Sequence, residues 1–409
     1  MEFTSQPRPA NVKGKPPASL TAVPPDVRRA QPHSVLGSYR EASHRGTSGG
    51  TAVVNPAWCL ILVSWEGRPD KTMHFLKTSD FSRAELDALL QCALRFKHGD
   101  ERNQCLNGKS FALVFFNPSL RTRASMQVAI HELGGFPIIV EPGGTSWTLE
   151  HRDGVMMDSD RTEHVAEFVR VLGRYCVTIG VRTFAELKNW KEERFDPVLT
   201  AFAKYSEVPV INLESAMHHP LQALADMMTI RERLGQSRRR VVLVWAWHPK
   251  PLPMAVPNSF CLAAAQVGHH LTVAHPPGYA LDDGLVEEVT RQAEAAGGSV
   301  TLTNDVEAAF VGADVIYAKS WGAKQFYGAP ENDVAERLQY RNRWIVDQKK
   351  MKSTNNAIFM HCLPVRRNVI VTDDVIDSPS SAVIDQAENR LHVQKAILSI
   401  VNRDSRLRS

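Results

Sequence analysis

Asn117-Pro118-Ser119-Leu120-Arg121-Thr122-Arg123-Ala124-Ser125-Met126 decides how this chain is read. The stretch follows an apolar run at 111–116, short and unbroken, as in a strand buried on both faces of a parallel sheet. From Ala124 to Leu133 the apolar residues return at helical spacing. A hydroxyl-rich, doubly basic turn therefore stands where a strand becomes a helix. The first N–H groups of a helix lack internal partners and carry partial positive charge. With the Ser119 and Thr122 hydroxyls and the Arg121 guanidinium beside them, the turn has the chemistry to hold a phosphate dianion. Local chemistry alone also allows a capped helix start with a surface Arg pair.

Outward from this turn the chain alternates. Ser82-Arg-Ala-Glu85 reads as a capping box opening a helix that reaches about Phe96. Strand signals lie at 111–116, 137–140, 176–180 and 209–213, with helical patterns such as 163–172 and 196–205 among them. A second series runs through 241–245, 271–274, 300–302, 315–318 and 357–360, separated by helices such as 259–267 and 285–296. The expected class is α/β, with two doubly wound parallel-sheet domains joined by interdomain helices. Helix 219–234 would link the two, and helix 389–402 would return to the first. The domains expected are 73–214, 215–388 and a C-terminal return at 389–409. Ligands of such sheets gather beyond the carboxyl ends of the strands, and each motif named below follows a strand.

Residues 1–72 differ in kind. They hold nine of the 24 prolines and many Ser, Gly and Arg residues, a composition that cannot bury enough apolar surface to offset its ordering entropy. A disordered extension, an organelle transit segment and upstream sequence read through from a misplaced start codon all fit; the last is preferred, because family-like sequence begins at Met73. The segment also holds nine Lys/Arg against five Asp/Glu, so the net charge of +4 resides there and the remainder is neutral. That balance gives no argument for nucleic-acid binding. Arg28-Arg29 reads as a solvated charge pair without the aromatic interleaving of a nucleic-acid surface. Six scattered cysteines without a C-x-x-C pair suit reduced thiols in a cytoplasmic enzyme. No apolar run approaches the roughly 18 residues of a membrane span.

Ser119-x-Arg-Thr-Arg, His219-Pro220-Leu221-Gln222 and His361-Cys362-Leu363-Pro364 stand in an order and at separations that resemble the aspartate/ornithine transcarbamylase family. Trp245-Ala-Trp-His248-Pro-Lys-Pro251, Tyr317-Ala-Lys319-Ser-Trp-Gly322 and Glu388-Asn-Arg390-Leu-His-Val-Gln394 resemble its branch acting on N-acetylornithine or N-succinylornithine. The resemblance runs from about Met73 to the C-terminus. It implies transfer of a carbamoyl group from carbamoyl phosphate to the side-chain amine of an acylated ornithine, in arginine biosynthesis, with no metal or organic cofactor. It also implies a homotrimer with active sites between subunits and a loop threaded as a knot in the second domain, at the Pro-rich stretch 248–257.

The resemblance assigns roles. Ser119, Leu120, Arg121 and Thr122 would hold the phosphate, with Arg182 and Arg390 reaching it. His219 and Gln222, three apart at a helix start, can face one side; with Pro220 and Leu221 they form the second motif. Preorganised donors at a developing oxyanion are worth roughly 3–4 kcal/mol each. Cys362 and Leu363 would orient the attacking amine, and Cys362 need not be a nucleophile. Glu214, Lys319 and Leu363 would contact the acylornithine. Trp147 would close the pocket of a neighbouring chain; a Trp packed under its own Gly-rich loop is the local alternative. Two positions depart from the acetylornithine pattern. Thr162 stands where acetyl-type enzymes carry Glu and succinyl-type relatives carry Pro, and Ile370 replaces a Lys. N-acetylornithine is the preferred substrate, with N-succinylornithine, free ornithine and a catalytically silent homologue as rivals.

Overall fold

The computed structural model describes residues 72–402. The reading of the N-terminal extension lies outside the described residues up to residue 71. Two all-parallel sheets organise the chain. The first contains β1 (Ser110–Phe115), β2 (Phe136–Val140), β3 (Thr178–Arg182) and β4 (Val210–Glu214), in the order β2-β1-β3-β4. The second contains β5 (Arg240–Trp245), β6 (His270–Ala274), β7 (Ser299–Thr303), β8 (Val315–Lys319) and β9 (Ile358–Met360), in the order β9-β8-β5-β6-β7. The longer helices are α1 (Arg83–His98), α2 (Leu120–Glu132), α3 (Val165–Tyr175), α4 (Pro197–Tyr205), α5 (Pro220–Leu234), α6 (Ala255–Gln266), α7 (Asp283–Ala295), α8 (Pro330–Arg337) and α9 (Val383–Val401).

All nine strand expectations are met to within two residues at each end, because unbroken apolar runs in a parallel sheet leave little freedom of assignment. The capping box is present: Ser82 Oγ accepts from Glu85 N, and Glu85 Oε2 accepts from Ser82 N. Three helix starts differ from expectation. α2 begins at Leu120 rather than Ala124, with Ser119 as its N-cap accepting from Thr122 N. The Ser-Leu-Arg-Thr stretch is therefore the helix's own first turn. α6 begins at Ala255 rather than residue 259. α9 begins at Val383, six residues before the expected start, which puts Arg390 in mid-helix and buries it. α8 was not expected at all, since its buried residues are Asp333 and Arg337 and it has no apolar periodicity to detect.

Sheet topology fixes where ligands can sit. Strand order reverses between β1 and β3 in the first sheet and between β5 and β8 in the second. Crevices open at such reversals, beyond the carboxyl ends. The segments that follow β1, β5 and β9 carry Ser119–Thr122, His248 and His361–Leu363, and the last residues of β3, β4 and β8 are Arg182, Glu214 and Lys319. α9 packs against α1, α2 and α5, so the end of the chain returns to the helices flanking the first sheet.

Gly180 lies in the middle of β3, where an added Cβ would sit 3.0 Å from both Leu113 Cδ2 and Leu213 Cδ1. Those leucines come from the two neighbouring strands. Gly180→Val should destabilise the chain by about 1–3 kcal/mol through overpacking, read as a lowered denaturation midpoint with an unchanged denaturant slope.

Candidate active site

A cleft of about 570 Å³ lies at these strand ends. Ser119, Leu120, Arg121, Thr122, Arg182, Glu214, His219, Gln222 and Arg390 line one side, and Lys319, Cys362 and Leu363 line the other. Pro220 and Leu221 are buried beneath it without lining it. Trp147 is elsewhere: it is 65% exposed on the 143–148 loop. That exposure rules out the local reading of a Trp packed under its own loop. Of the expected residues, the fold thus brings all but Trp147 into the cleft or its floor.

The centre of the first side is the Thr122 hydroxyl, which is fully buried. Its oxygen accepts from Arg390 at 2.5 Å and from Arg182 at 3.4 Å. With both lone pairs engaged, its proton is free to donate into the cleft. Arg182 also donates to Glu214 Oε2 at 2.5 Å and lies over the Phe184 ring at 4.4 Å. A register shift between β3 and β4 causes this pairing: Val181 faces Asn212, but Arg182 faces Glu214, leaving Leu213 as the extra residue. Arg121 points inward, whereas Arg123 pairs with Glu141 at 2.6 Å on the outside. Burial, and then the neighbouring Arg182, lower the affinity of Arg121 for its proton; burial takes Arg390 down to about 10. Three guanidiniums and the Lys319 ammonium thus face one nearby carboxylate, Glu214. Such a site is built for an anion.

The imidazoles are neutral. Burial first, and then Arg390, Arg182 and Lys319, hold His219 well below the usual histidine range. Its Nε2 is 3.3 Å from Glu214 Oε2, while its backbone N–H donates to Ser259 Oγ on α6 at 2.7 Å. His361 is also held well below that range by burial, and its Nδ1 accepts from Leu363 N at 2.9 Å. This bond fixes the turn at Leu363, whose φ of 53° is uncommon for a non-glycine residue. Burial raises the Cys362 thiol, so it stays protonated rather than becoming a thiolate. His248, which lines the second side, accepts from Arg366 Nε at Nε2 (3.0 Å); its Nδ1 therefore carries the proton and donates to Lys250 O at 2.8 Å.

Beneath the cleft a polar network escaped sequence reading. Asp226, fully buried on α5, accepts at Oδ1 from Gln222 Nε2 (2.8 Å) and Gln386 Nε2 (2.6 Å). Gln386 Oε1 in turn accepts from His361 N at 3.0 Å. Gln222 Oε1 has no partner among the described residues, so Gln222 offers the cleft an acceptor, beside the second N–H of its amide, which the bond to Asp226 leaves for the expected donor role. The Gln222–Asp226 spacing of four was available in the sequence, but nothing there singled it out from other helix pairs. Gln386 carried no signal at all.

Family-level comparison agrees with this geometry. Residues 73–232 match the aspartate/ornithine carbamoyltransferase carbamoyl-P binding domain, and residues 253–401 match the Asp/Orn binding domain of the same family. The chain is 48% identical over 337 residues to the N-acetylornithine carbamoyltransferase of Xanthomonas campestris pv. campestris, covering 81% of this chain and 98% of that one. It is 43% identical over 282 residues to the N-succinylornithine carbamoyltransferase of Bacteroides fragilis, covering 69% and 84%. A crystal structure of an N-acetyl-L-ornithine transcarbamylase variant with alanine in place of one glutamate, complexed with carbamyl phosphate and N-succinyl-L-norvaline, superposes with a TM-score of 0.78 at 48% identity. It covers 80% of this chain and 99% of that one.

Burial pushes the Asp226 carboxyl up to about 7, against the hydrogen bonds from Gln222 and Gln386, which lower it. A carboxyl raised on folding contributes stability that is complete below its unfolded value near 4 and is lost as pH rises through its folded value. The unfolding free energy of the parent should therefore fall between pH 4 and 7 by more than that of Asp226→Asn, with a difference on the order of a few kcal/mol. Histidines held low by burial, such as His218 at about 3 and His269 at about 4, slope the other way in both proteins and cancel in the difference. Parallel slopes from denaturant titrations would refute the assignment.

Proposed function

This chain belongs to the aspartate/ornithine carbamoyltransferase family, and from that premise we propose that it transfers the carbamoyl group of carbamoyl phosphate to the side-chain amine of N-acetyl-L-ornithine. The products are N-acetyl-L-citrulline and phosphate, a step of arginine biosynthesis in the cytoplasm. The observation that carries the reading is the convergence of Arg121, Arg182 and Arg390 on the first turn of α2, across the cleft from Lys319 and the His361–Leu363 turn.

The residues divide the work. Ser119, Leu120, Arg121, Thr122, Arg182 and Arg390 hold the phosphate with guanidiniums, the Thr122 hydroxyl and the free N–H groups of the helix start. His219, neutral, and Arg121 polarise the carbonyl oxygen as charge grows on it. Gln222 Oε1 accepts from the carbamoyl NH2. Carbonyls of the Cys362-Leu363 turn orient the amine, and Lys319 pairs with the α-carboxylate of the acylated amino acid. The amine nitrogen attacks the carbonyl carbon, the carbon–oxygen bond to phosphate breaks, and the amine's surplus proton leaves on the phosphate. No covalent enzyme intermediate is needed, in keeping with a protonated Cys362 thiol. Holding both reactants in line supplies much of the rate.

The same reading takes the chain as a homotrimer in which Trp147 enters the cleft of a neighbouring subunit. Its exposure in the single chain supports this, as does the bond from Thr162 N to Thr148 O, which ties the loop bearing Thr162 to the Trp147 loop. Domain limits at 214 and 388 and a threaded 248–257 loop belong to this reading too. N-succinylornithine is the second substrate reading. Ile370 is buried and lines the cleft, an apolar surface where acetyl-type relatives carry a charge. Thr162 removes a carboxylate that would repel a succinyl group. The related enzyme lacking one glutamate is complexed with a succinylated analogue.

Incubating the chain with carbamoyl phosphate and each of N-acetylornithine, N-succinylornithine and ornithine should give a citrulline-type product fastest with an acylated amine, and Arg121→Ala should lower that turnover by about 100-fold or more. Fastest turnover of free ornithine, or a near-parental rate for Arg121→Ala, defeats the reading. Mixing the separately inactive Trp147→Ala and Arg121→Ala chains should restore activity, since some sites then receive both native residues. No recovery on mixing, with subunit exchange verified by mass, places Trp147 outside the site.

A further inference from the structure

The second side of the cleft is held by a buried ion pair that the proposed chemistry does not use. Arg337 and Asp333 lie four apart on α8 and are both almost fully buried, on a helix with no apolar face. Arg337 Nε donates to Asp333 Oδ1 at 2.6 Å. Its terminal nitrogens donate to the backbone carbonyls His248 O (3.1 Å), Lys250 O (2.9 Å) and Trp321 O (3.2 Å); Nη1 also reaches Ser320 Oγ (3.5 Å) and Nη2 pairs with Asp333 Oδ1 (2.5 Å). Asp333 accepts from Tyr279 Oη (3.1 Å) and Ala323 N (2.7 Å). The guanidinium lies 5.6–5.8 Å from the Tyr279 and Trp245 ring centres, within cation–π range.

These bonds tie together the loops that follow β5, β6 and β8. The first of them, 246–253, brings His248, Leu252 and Pro253 to the cleft, and the third follows directly on Lys319. A second contact clamps the first loop from below: Gly322 N donates to Leu252 O at 2.8 Å, and any Cβ at Gly322 would lie 2.9 Å from Pro251 Cβ. Among the described residues, none of these bonds reaches Arg121, Arg182 or Arg390. A buried ion pair is weak as a source of stability, because desolvation offsets its attraction; its attested use is to specify one arrangement among several. The fork geometry of arginine, three carbonyls and one carboxylate in fixed directions, is what sets relative loop positions.

We propose that Arg337 and Asp333 are positioning residues for the amine substrate: they hold the 246–253 loop and the 319–323 segment in the register that recognises the acylated amino acid. The inference rests on the carbamoyl-transfer reading above. Turnover of the unaltered chain tests that reading separately, so the two can fail independently.

The experiment uses two full-length variants, Arg337→Lys and the double change Arg337→Met with Asp333→Leu. The first keeps charge and length but cannot fork to the loop carbonyls. The second replaces the pair by apolar side chains of similar bulk, a change buried ion pairs often tolerate. KM for the best acylated ornithine should rise about tenfold or more in both, in keeping with a misplaced loop. Calorimetric binding of phosphonoacetamide, a stable stand-in for carbamoyl phosphate, should stay within about twofold of the parent, since uniform loss of fold would move both. The proposal is overturned if KM for the amine stays within about twofold, or if both ligands weaken equally. Collapse of both variants would also overturn it, because the pair would then serve the fold as a whole rather than the substrate loops.

Discussion

Positive charge gathered without its counter-charge is the constraint on which this structure depends. Arg121, Arg182 and Arg390 converge from three different elements on the first turn of α2, and Glu214 is the carboxylate among them. Leaving guanidiniums buried and under-paired is costly. The chain tolerates it because each cation is anchored by geometry that the rest of the fold supplies. The lowered proton affinities of Arg121 and Arg390 are the trace of that cost. On the proposed reading, a phosphate dianion arriving there restores the balance of charge.

Each anchor has a separate structural cause. A one-residue register shift at the end of β4 turns Glu214 to meet Arg182 across the strands. Ser119 caps α2 and so fixes which N–H groups stay free. α9 crosses back over α2 and α5, and only that return brings Arg390 to within 2.5 Å of the Thr122 hydroxyl, 268 residues away in sequence. The anion site therefore cannot form in the first sheet and its helices alone. It needs the end of the chain.

What could be read in the sequence follows from how local each feature is. Strands in a doubly covered parallel sheet are continuous apolar runs, so all nine were visible, and motifs falling just after them pointed to the cleft. Ser119 and Arg121 stood out because hydroxyls and cations clustered at a helix start, whereas His219 and Gln222 stood out through the family resemblance and their spacing of three. The rest depended on long-range packing. Arg390 read as a residue at a helix start because the helix was begun too late; the six residues from Val383 lack a clear cap, with no side-chain bond at the N-cap Ala382. The acceptor face of Gln222 became apparent only once Asp226 and Gln386, 160 residues apart, were seen to meet. α8 left no pattern, since the face it buries is charged.

The two sides of the cleft solve opposite problems. A phosphate group is the same in every reaction of this family, so its site can be strong and unspecific in shape: unbalanced charge does that. An acylated amino acid must be told from close relatives, and charge alone discriminates poorly among them. Discrimination comes from placing a few groups so that wrong partners leave polar atoms unpaired, and this requires loops that do not yield. On the second side the polar groups that set the loops are accordingly satisfied by one another: Arg337 by carbonyls and Asp333, Asp333 by Tyr279 and Ala323, His248 by Arg366 and Lys250. The two departures that the proposed reading assigns to the acyl end then fall where such a scheme allows change, with Ile370 on the cleft wall and Thr162 exposed outside its lining. On the proposed reading neither position belongs to the phosphate grip, so within this fold the reaction type is held more rigidly than the identity of the acyl group.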